Sequence, residues 1–320
     1  MIGISFILPF YKLERWMLDR AVDSILLARL ACDYEIIVVD DGTPGGEARQ
    51  WLKGKSDRIK YVWQENGGPG GARNTGIDIA TKEYIQFLDP DDYFFSAGLR
   101  QLVALIDKEH PDVVVCSNYK IVHDQQMLSP KSVRLKTKTY GSGLEYMTHR
   151  NIFAVVWGFA FRREALGGQR FLPGIYHEDE EFIPRLFARV GKMVETNILA
   201  YAYCQRPTSI VHNPDARHIE KRFDDMFLVL SRLQDWAESA DSGIGRKAFE
   251  RRKEQFALSV IYHALRLLPD EKLRQCLSRL AGYGCWPLPP ASYTPRYRLF
   301  RRLTDRWWKL KIMRLLLKRR

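Results

Sequence analysis

Cysteine is scarce in this sequence, and its few cysteines form no recognisable pair. There are five, an odd number at widely scattered positions: Cys32, Cys116, Cys204, Cys276 and Cys285. No two have the spacing of a zinc site or of a redox-active pair. This pattern argues against a disulfide framework or a structural zinc, and we expect reduced thiols in a cytoplasmic protein.

Long apolar runs are also missing. No stretch approaches the roughly 18 consecutive apolar residues of a membrane-spanning helix. The apolar segment 2–9 is too short for the core of a signal peptide, and no basic residues precede it. With 46% hydrophobic and 28% charged residues, the composition is that of an ordinary globular protein. We find no internal repeat.

The positive charge belongs to one end of the chain. Residues 301–320 hold nine Lys and Arg against Asp305, which accounts for eight of the formal +12 charges. The cations alternate with Leu, Ile, Met and two Trp, a composition that suits a helix lying on an anionic membrane surface. The alternative is a basic helix packed on its own domain, or a frayed terminus. We expect no nucleic-acid binding, because the basicity is not a property of the fold; binding by the tail alone is a further alternative, with no aromatic-platform fold behind it.

The first 115 residues alternate apolar strand patterns with helix-period segments. The strands are predicted at 4–8, 35–39, 58–63, 84–88 and 112–116, and the helices at 14–29, 72–80 and 99–108. Segment 35–39 is apolar on both faces, as in a buried parallel sheet. The alternation predicts an α/β fold, with a mostly parallel central sheet flanked by helices.

The pattern changes twice further along. Residues 120–143 are polar and basic, which predicts a loop or a hairpin, and order resumes near 154–163 and 182–190. After Asn213-Pro214 come long helical patterns. We predict three parts: a catalytic domain with two halves, a helical C-terminal region, and a Pro-containing linker with the basic amphipathic tail, at 1–213 (1–115 and 116–213), 214–285 and 286–320.

Two predicted strands end in clusters of acids, Asp40-Asp41 and Asp89-Pro90-Asp91-Asp92. In open α/β sheets ligands bind outside the carboxyl ends of the strands. Carboxylates crowded there repel one another unless a cation or hydrogen-bond donors compensate them. Mg²⁺ or Mn²⁺ would do so, since both prefer carboxylate oxygens. The alternative is that each Asp caps the turn or helix that follows it.

The glycine-rich segment 66–74 has neither the Lys-Ser/Thr ending of a P-loop nor a G-x-G-x-x-G register. We predict a flexible turn that brings Arg73 and Asn74 to a helix start, where they could face an anion. A plain turn with a helix cap is the alternative. Further on, four acids at 178–181 open a helical pattern. They fit either the positive end of a helix dipole or a catalytic carboxylate at a pocket edge.

Five segments together resemble family 2 glycosyltransferases. They are Ser5–Tyr11, Glu35–Gly42, Gly71–Gly76, Phe87–Asp92 and Glu178–Phe182, in the order and spacing of that family. The resemblance covers roughly residues 1–210. It implies a GT-A fold, with 1–115 as the nucleotide-binding half and 116–213 as the acceptor half. It also implies an inverting hexosyltransferase that uses a nucleotide diphosphate sugar, expected to be a UDP-sugar, in bacterial cell-surface polysaccharide or glycolipid synthesis.

The resemblance also assigns roles to residues. Pro9, Tyr11 and Asp41 resemble the pocket for the nucleotide base, with Tyr11 near uracil and Asp41 accepting its imide N–H. Arg73 stands where the family contacts the pyrophosphate. Asp89-Pro90-Asp91 is similar to the D-x-D motif, in which Asp91 would bind Mn²⁺ or Mg²⁺ and Asp89 would lie near the ribose or a metal-bound water.

Asp179 falls at the position of the family's general base. Glu178, Asn74 and Arg206 are further candidates, the last within a stretch that resembles an element following the base. Lys12 departs from the family's pattern, which usually has Asn there.

The acceptor is expected to be a saccharide or a lipid-linked saccharide, and the enzyme to be cytoplasmic, peripheral on the inner face of the membrane. A catalytically inactive nucleotide-sugar-binding module is the competing hypothesis. A nucleotidyltransferase is disfavoured, because no glycine-rich loop with a downstream Lys follows the first strand.

Overall fold

The computed structural model describes residues 1–123, 128, 130–205, 215–291 and 293–318. The chain divides into two compact units. The first, which we call the sheet unit, comprises Met1–Gly143 and Phe153–His212. The second, the helical unit, comprises Leu144–Ile152 and Asn213–Arg320.

The described part of the sheet unit forms one nine-stranded sheet. The strands are β1 (Gly3–Phe10), β2 (Asp33–Asp40), β3 (Ile59–Trp63), β4 (Tyr84–Phe87), β5 (Tyr93–Phe94), β6 (Val113–His123), β7 (Thr137–Tyr140), β8 (Phe159–Arg162) and β9 (Met193–Gln205). The main path of the sheet runs β3-β2-β1-β4-β8-β6-β9-β5, and β7 pairs with β9. The helices before residue 190 are α1 (Arg15–Leu26), α2 (Ala48–Leu52), α3 (Gly68–Ile79), α4 (Ser96–Glu109), α5 (Gly143–His149) and α6 (Glu178–Phe187).

β1 lies at the centre of the parallel part of the sheet. It pairs in parallel with β2 on one side and with β4 on the other, and β2 pairs in parallel with β3. Side chains on both faces of β1 and β2 are buried, which explains their almost continuous apolar sequences. Because the pairing is parallel, the carboxyl ends of β1, β2 and β4 meet at one edge of the sheet.

The other half of the sheet is mixed, and it holds strands that the sequence pattern did not predict. β8 is antiparallel to both β4 and β6, whereas β6 and β9 are parallel. The predicted loop or hairpin at 120–143 instead contains the end of β6 and the whole of β7, which do not pair with each other: both pair with β9. β9 itself was missed, because the polar residues Glu195, Thr196 and Asn197 interrupt its apolar pattern.

α3 packs closely on β1. A Cβ added at Gly76 would lie 2.3 Å from Cγ2 of Ile7, so only glycine permits this approach. The helix begins at Gly68, four residues before the predicted start at Ala72. Pro69 is tolerated in its first turn, where backbone N–H groups have no partner within the helix. Most of the glycine-rich segment is therefore the first turns of a helix.

The described part of the helical unit contains α7 (Ala216–Glu238), α8 (Gly243–Leu267), α9 (Asp270–Gly282), α10 (Pro295–Thr304) and α11 (Trp307–Lys318). Its core is built from apolar faces of α7 and α8, including Leu230, Leu233, Val260 and Ile261. Residues 286–320, predicted as a linker and a tail, thus contain two helices of this unit. Leu310 of α11 is fully buried, and Arg314 donates to the backbone oxygen of Leu268.

Among the described residues, no helix combines the length and the apolar composition needed to cross a membrane. All five cysteines are buried, and none forms a disulfide.

Candidate active site

Asp40 and Asp41, at the end of β2, accept hydrogen bonds from neighbouring loops. Asp40 accepts from the backbone N–H of Thr43 at 2.9 Å and from the Tyr61 hydroxyl at 2.7 Å. Oδ1 of Asp41 accepts from the Gln64 amide at 2.7 Å and from the backbone N–H of Gly67 at 2.9 Å, and the Asn66 amide donates to Oδ2 at 3.1 Å. Hydrogen-bond donors from the neighbouring loops therefore surround these two carboxylates.

The acids after β4 lie in a less balanced environment. Buried Asp92 accepts from the Tyr201 hydroxyl at 2.6 Å and from the backbone N–H of Cys204 at 2.7 Å, both on β9. Burial and the charges of Asp91 and Asp89 nevertheless raise the pKa of Asp92 well above its usual range. Burial also raises the pKa of Asp89, with a further contribution from Asp91 that opposes the lowering by a nearby arginine. Burial, with a smaller contribution from the neighbouring carboxylates, therefore outweighs the stabilisation that the hydrogen-bond and ion-pair partners provide.

Arg73 is that arginine, and it joins two parts of the site. The residue is only 6% exposed, and its guanidinium donates to Asp89 at 3.1 Å and to Glu178 of α6. Burial alone would lower the pKa of Arg73, but the charges of Glu178, Asp89 and Asp179 raise it above its usual value. The resemblance implied that Arg73 contacts the pyrophosphate. In the structure the guanidinium is buried between the carboxylates of Asp89 and Glu178, and the pyrophosphate contact stays a prediction.

The acids at 178–181 have different surroundings. Glu178 pairs with Arg73, whereas Glu181 is fully buried and pairs with Arg185 at 2.7 Å. Asp179 is half-buried in the first turn of α6, and its Oδ1 accepts the backbone N–H of Glu180 at 2.8 Å. Two of the four acids therefore have specific arginine partners, which a helix dipole alone does not explain.

A close contact fixes α6 relative to α3. A Cβ at Gly70 would lie 3.3 Å from Cβ of Phe171 and 3.5 Å from Cγ of Glu178, so the first turn of α3 packs against this segment. Asn74 reinforces the contact, because its amide donates to the Phe171 oxygen at 3.0 Å and accepts from the Phe171 N–H at 2.7 Å. Asn74, predicted to face an anion, thus uses both polar atoms of its amide to hold the backbone.

The remaining candidates lie at the end of β1 or outside the described residues. Tyr11 is 42% exposed, and the Lys12 ammonium lies 4.9 Å from its ring centre. The backbone N–H of Lys12 donates to the Thr43 hydroxyl at 3.1 Å, which ties the end of β1 to the loop after β2. Pro9 is half-buried near the end of β1. Arg206 lies outside the described residues.

The structure thus brings Asp89, Glu178 and Asp179 together around Arg73, and it places Asp91 beside Asp89 and Asp92. Asp41 lies at the same edge, two strands away, which is roughly 10 Å. Within the described ranges, no group of three or more His, Cys, Asp or Glu side chains is arranged to hold a metal ion by itself. Water or ligand oxygens could complete the coordination of an ion bound by fewer carboxylates.

Sequence reasoning missed the residues that support these acids. Gln64 and Asn66 follow β3, the parallel neighbour of β2, so their position at the same edge as Asp41 could have been anticipated from the strand pattern. Tyr61 and Tyr201, which donate to Asp40 and Asp92, gave no comparable signal. A tyrosine within a strand is usually part of the core.

A parallel sheet with polar groups at the carboxyl ends of its strands is typical of α/β proteins that bind a small molecule at that edge of the sheet. The model of the family described as glycosyl transferase family 2 matches residues 5–167, just over half of the chain. The chain belongs to this family, and it is a glycosyltransferase with a GT-A fold.

Individual relatives agree with this assignment. The chain is 31% identical over 233 residues to the uncharacterized glycosyltransferase EpsJ of Bacillus subtilis, a match that covers 69% of this chain and 67% of that protein. The succinoglycan biosynthesis protein ExoW of Rhizobium meliloti is 37% identical over 97 residues, 29% of this chain and 30% of that protein. The chain therefore matches less than a third of ExoW.

The structure of S. aureus TarS 1-349 in complex with UDP-GlcNAc is similar to the whole chain. The TM-score is 0.67 at 19% identity, and the match covers 98% of this chain and 90% of that one. TarS 1-349 in complex with UDP is similar at a TM-score of 0.64 and 19% identity, covering 98% and 89% of the two chains. These likenesses confirm the predicted fold class.

Proposed function

We propose that this enzyme transfers a hexosyl group from a nucleotide diphosphate sugar, in particular a UDP-sugar, to an acceptor hydroxyl with inversion at the anomeric carbon. The observation that carries the proposal is the group of carboxylates around Arg73, beside the carboxyl ends of parallel strands. The UDP-GlcNAc and UDP complexes of TarS support a UDP-sugar donor. The name of ExoW supports a role in polysaccharide synthesis, with a saccharide or a lipid-linked saccharide as acceptor.

Inverting transfer needs one base. The carboxylate of Asp179 takes the proton of the acceptor hydroxyl while the acceptor oxygen bonds to the anomeric carbon. The bond from that carbon to the diphosphate oxygen breaks, and the diphosphate leaves with the electron pair. Asp179 suits this role, because it is half-buried at the first turn of α6 and its neighbour Glu178 is held by Arg73. We assign Arg73 and Glu178 to positioning.

The nucleotide base would lie against Pro9 and the exposed ring of Tyr11. Asp41 shapes this pocket, since its hydrogen bonds hold residues 64–67 in place. Its Oδ2 accepts one side-chain amide hydrogen from Asn66 and has capacity for the imide N–H of uracil.

The carboxylates after β4 fit a divalent cation. Burial and mutual repulsion raise the pKa values of Asp89 and Asp92, so nearby positive charge would be stabilising. Asp91 would hold Mn²⁺ or Mg²⁺ directly, and Asp89, already paired with Arg73, would act through a water. When bound, the ion supplies positive charge for the leaving diphosphate.

Two measurements test the proposal. The wild-type chain is expected to hydrolyse at least one member of a panel of nucleotide sugars in the presence of Mn²⁺. Asp179→Asn should lower turnover about a hundredfold or more and leave donor affinity, measured by calorimetry, nearly unchanged. Glu180→Gln, a change at a neighbouring acid, is the control and should retain most of the turnover. Donor binding without any hydrolysis would instead favour an inactive nucleotide-sugar-binding module.

A second surface supports a membrane partner. On the outward side of α11, Trp308, Ile312, Leu315 and Leu316 form an exposed apolar stripe at helical spacing. Exposed cations at Arg302, Arg306 and Lys311 accompany it, and Asp305 is paired with Lys309. Apolar side chains between cations suit an anionic lipid surface. We propose that this face holds the enzyme peripherally on the inner face of the membrane.

Point variants test this surface better than truncation, because Leu310 on the inner side of α11 is buried. Leu315→Asp combined with Leu316→Asp should abolish cosedimentation with vesicles containing phosphatidylglycerol. Ile244→Asp, at an exposed apolar site at the start of α8, is the control and should bind like wild type. Unchanged vesicle binding by the double variant would refute the membrane surface.

A further inference from the structure

Four aromatic side chains of the sheet unit form a partly exposed group, which we call the aromatic platform: Tyr119, Phe153, Trp157 and Tyr203. Phe153 is 61% exposed and Tyr119 is 37% exposed. Their rings are parallel to within 8°, with centres 5.9 Å apart. Contiguous exposed apolar patches are uncommon on protein surfaces, and those that occur often mark interaction sites.

The platform is rigidly supported from below. Trp157 stacks on the buried ring of Tyr201, with centres 4.1 Å apart and an interplanar angle of 8°. The backbone oxygen of Trp157 accepts the Gln86 amide of β4 at 2.8 Å. Tyr119 packs edge-on against Trp157 at 5.2 Å. A ligand would therefore meet rings that are already ordered, which reduces the entropy lost on binding.

The inner end of the platform lies beside the carboxylates. Tyr201, beneath Trp157, donates its hydroxyl to Asp92. Tyr203 stacks near Trp157, with ring centres 6.2 Å apart. Burial, followed by the charges of Asp92, Asp91 and Asp89, raises the pKa of Tyr203, as expected for a phenol close to that acidic group. The platform thus extends from the acids toward solvent.

Strand order gives the direction of this surface. Tyr119 lies on β6 and Tyr203 lies on the neighbouring strand β9. In the sheet, β6 is two strands away from β4, on the side of β4 that faces away from β1 and β2. Two strand spacings are roughly 10 Å, about the length of one or two sugar rings. The proposed nucleotide-base pocket at Tyr11 and Asp41 lies on the opposite side of β4. A ligand on the platform would therefore approach the acids from the side opposite the nucleotide.

We propose that the aromatic platform binds a pyranose ring of the acceptor saccharide, an inference that rests on the proposed transferase function. A pyranose ring presents polarised C–H bonds on its face and hydroxyls at its rim. Aromatic faces carry partial negative charge and attract such C–H bonds, and they shield apolar area from water. A sugar on Tyr119 and Phe153 would extend past Trp157 and Tyr203 toward the acids after β4, which Arg73 links to Glu178 and Asp179.

Direct binding tests the platform without turnover. The probes are the methyl α- and β-pyranosides of glucose, galactose, mannose and N-acetylglucosamine at millimolar concentration, observed by saturation-transfer NMR on the full chain. At least one should receive saturation at its ring C–H protons. Tyr119→Ala and Phe153→Ala should each weaken binding about two- to tenfold, and the double variant should lose it. Leu27→Ala, at an exposed apolar site of the sheet unit, should bind like wild type.

Two variants separate stacking from general apolar contact. Phe153→Tyr keeps the ring and should retain binding, whereas Phe153→Leu keeps apolar area without the ring and should weaken it as Phe153→Ala does. Circular dichroism checks that each variant is folded. The platform is refuted if no pyranoside receives saturation from the wild-type chain. It is equally refuted if the double variant still binds.

Kinetics separate the two sources of a pyranose ring, acceptor and donor. For a pyranoside that accepts the sugar, the double variant should raise the acceptor KM and leave the donor KM and donor hydrolysis by water unchanged. A rise in the donor KM instead would mean that the platform binds the donor's sugar, and the proposal would be wrong. Absence of any nucleotide-sugar hydrolysis by wild type would refute the transferase function separately, because the NMR measurement needs no turnover.

Discussion

Replacing Arg73 with alanine tests the central ion pairs of the site. The side chains of Arg73 and Glu178 are only 8% and 11% exposed, and that of Asp89 is 27% exposed. Removing the guanidinium leaves two carboxylates without their cation, and breaking a buried pair in this way typically costs about 3–5 kcal/mol. A lone carboxylate can escape by taking up a proton, which at pH 7 costs about 4 kcal/mol. We therefore expect Arg73→Ala to lower the free energy of unfolding by about 4 kcal/mol.

The proton uptake gives this variant a characteristic pH dependence. The same protonation costs only about 1 kcal/mol at pH 5. The deficit of Arg73→Ala relative to wild type should therefore shrink as the pH falls from 7 to 5. Adding Glu178→Gln removes the more buried charge and should recover part of the lost stability.

Urea denaturation followed by circular dichroism measures these differences, provided that the m-values of all variants agree. Arg15→Ala is the control, because Arg15 is 61% exposed in its pair with Asp19 and should contribute less than about 0.5 kcal/mol. A loss below about 1 kcal/mol for Arg73→Ala, independent of pH, would refute the buried pairing and with it the positioning role of Arg73.

Two further predictions concern packing and pH. Gly76→Ala should lower the free energy of unfolding by about 1–3 kcal/mol, since its Cβ would lie 2.3 Å from Ile7. The control is Gly282→Ala, which has open space around its Cβ and should be neutral or slightly stabilising. Equal urea midpoints for the two variants would contradict the close packing at Gly76. Burial and the charge of Arg222 lower the pKa of His263 to about 4 from 6.5. Between these pKa values the unfolded state binds more protons than the folded state, so the free energy of unfolding should fall as the pH drops, by up to about 1.4 kcal/mol per pH unit. His263→Asn should flatten this pH dependence in urea titrations. An unchanged slope would refute the lowered pKa of His263.

The parallel half of the fold was predictable because its signals are local. β1, β2 and β4 are buried on both faces, so burial required almost continuous apolar runs. The acids at the ends of β2 and β4 indicated the edge of the sheet at which we propose that the ligand binds. The comparisons confirmed the fold class and the enzyme class. β7 escaped prediction because its sequence is mostly polar and its strand structure depends on pairing with the distant β9, whereas β9 escaped because polar residues interrupt its apolar pattern.

The sequence by itself determined the α/β class, the family and the set of acids, because these depend on residue types in a fixed order. Only the tertiary structure decided which charges meet. Arg73 and Glu178 are 105 residues apart and form one pair, and Tyr119, Trp157 and Tyr203 form one surface. The physical reason is that pairing and stacking depend on distances of a few ångströms, and chain folding sets those distances.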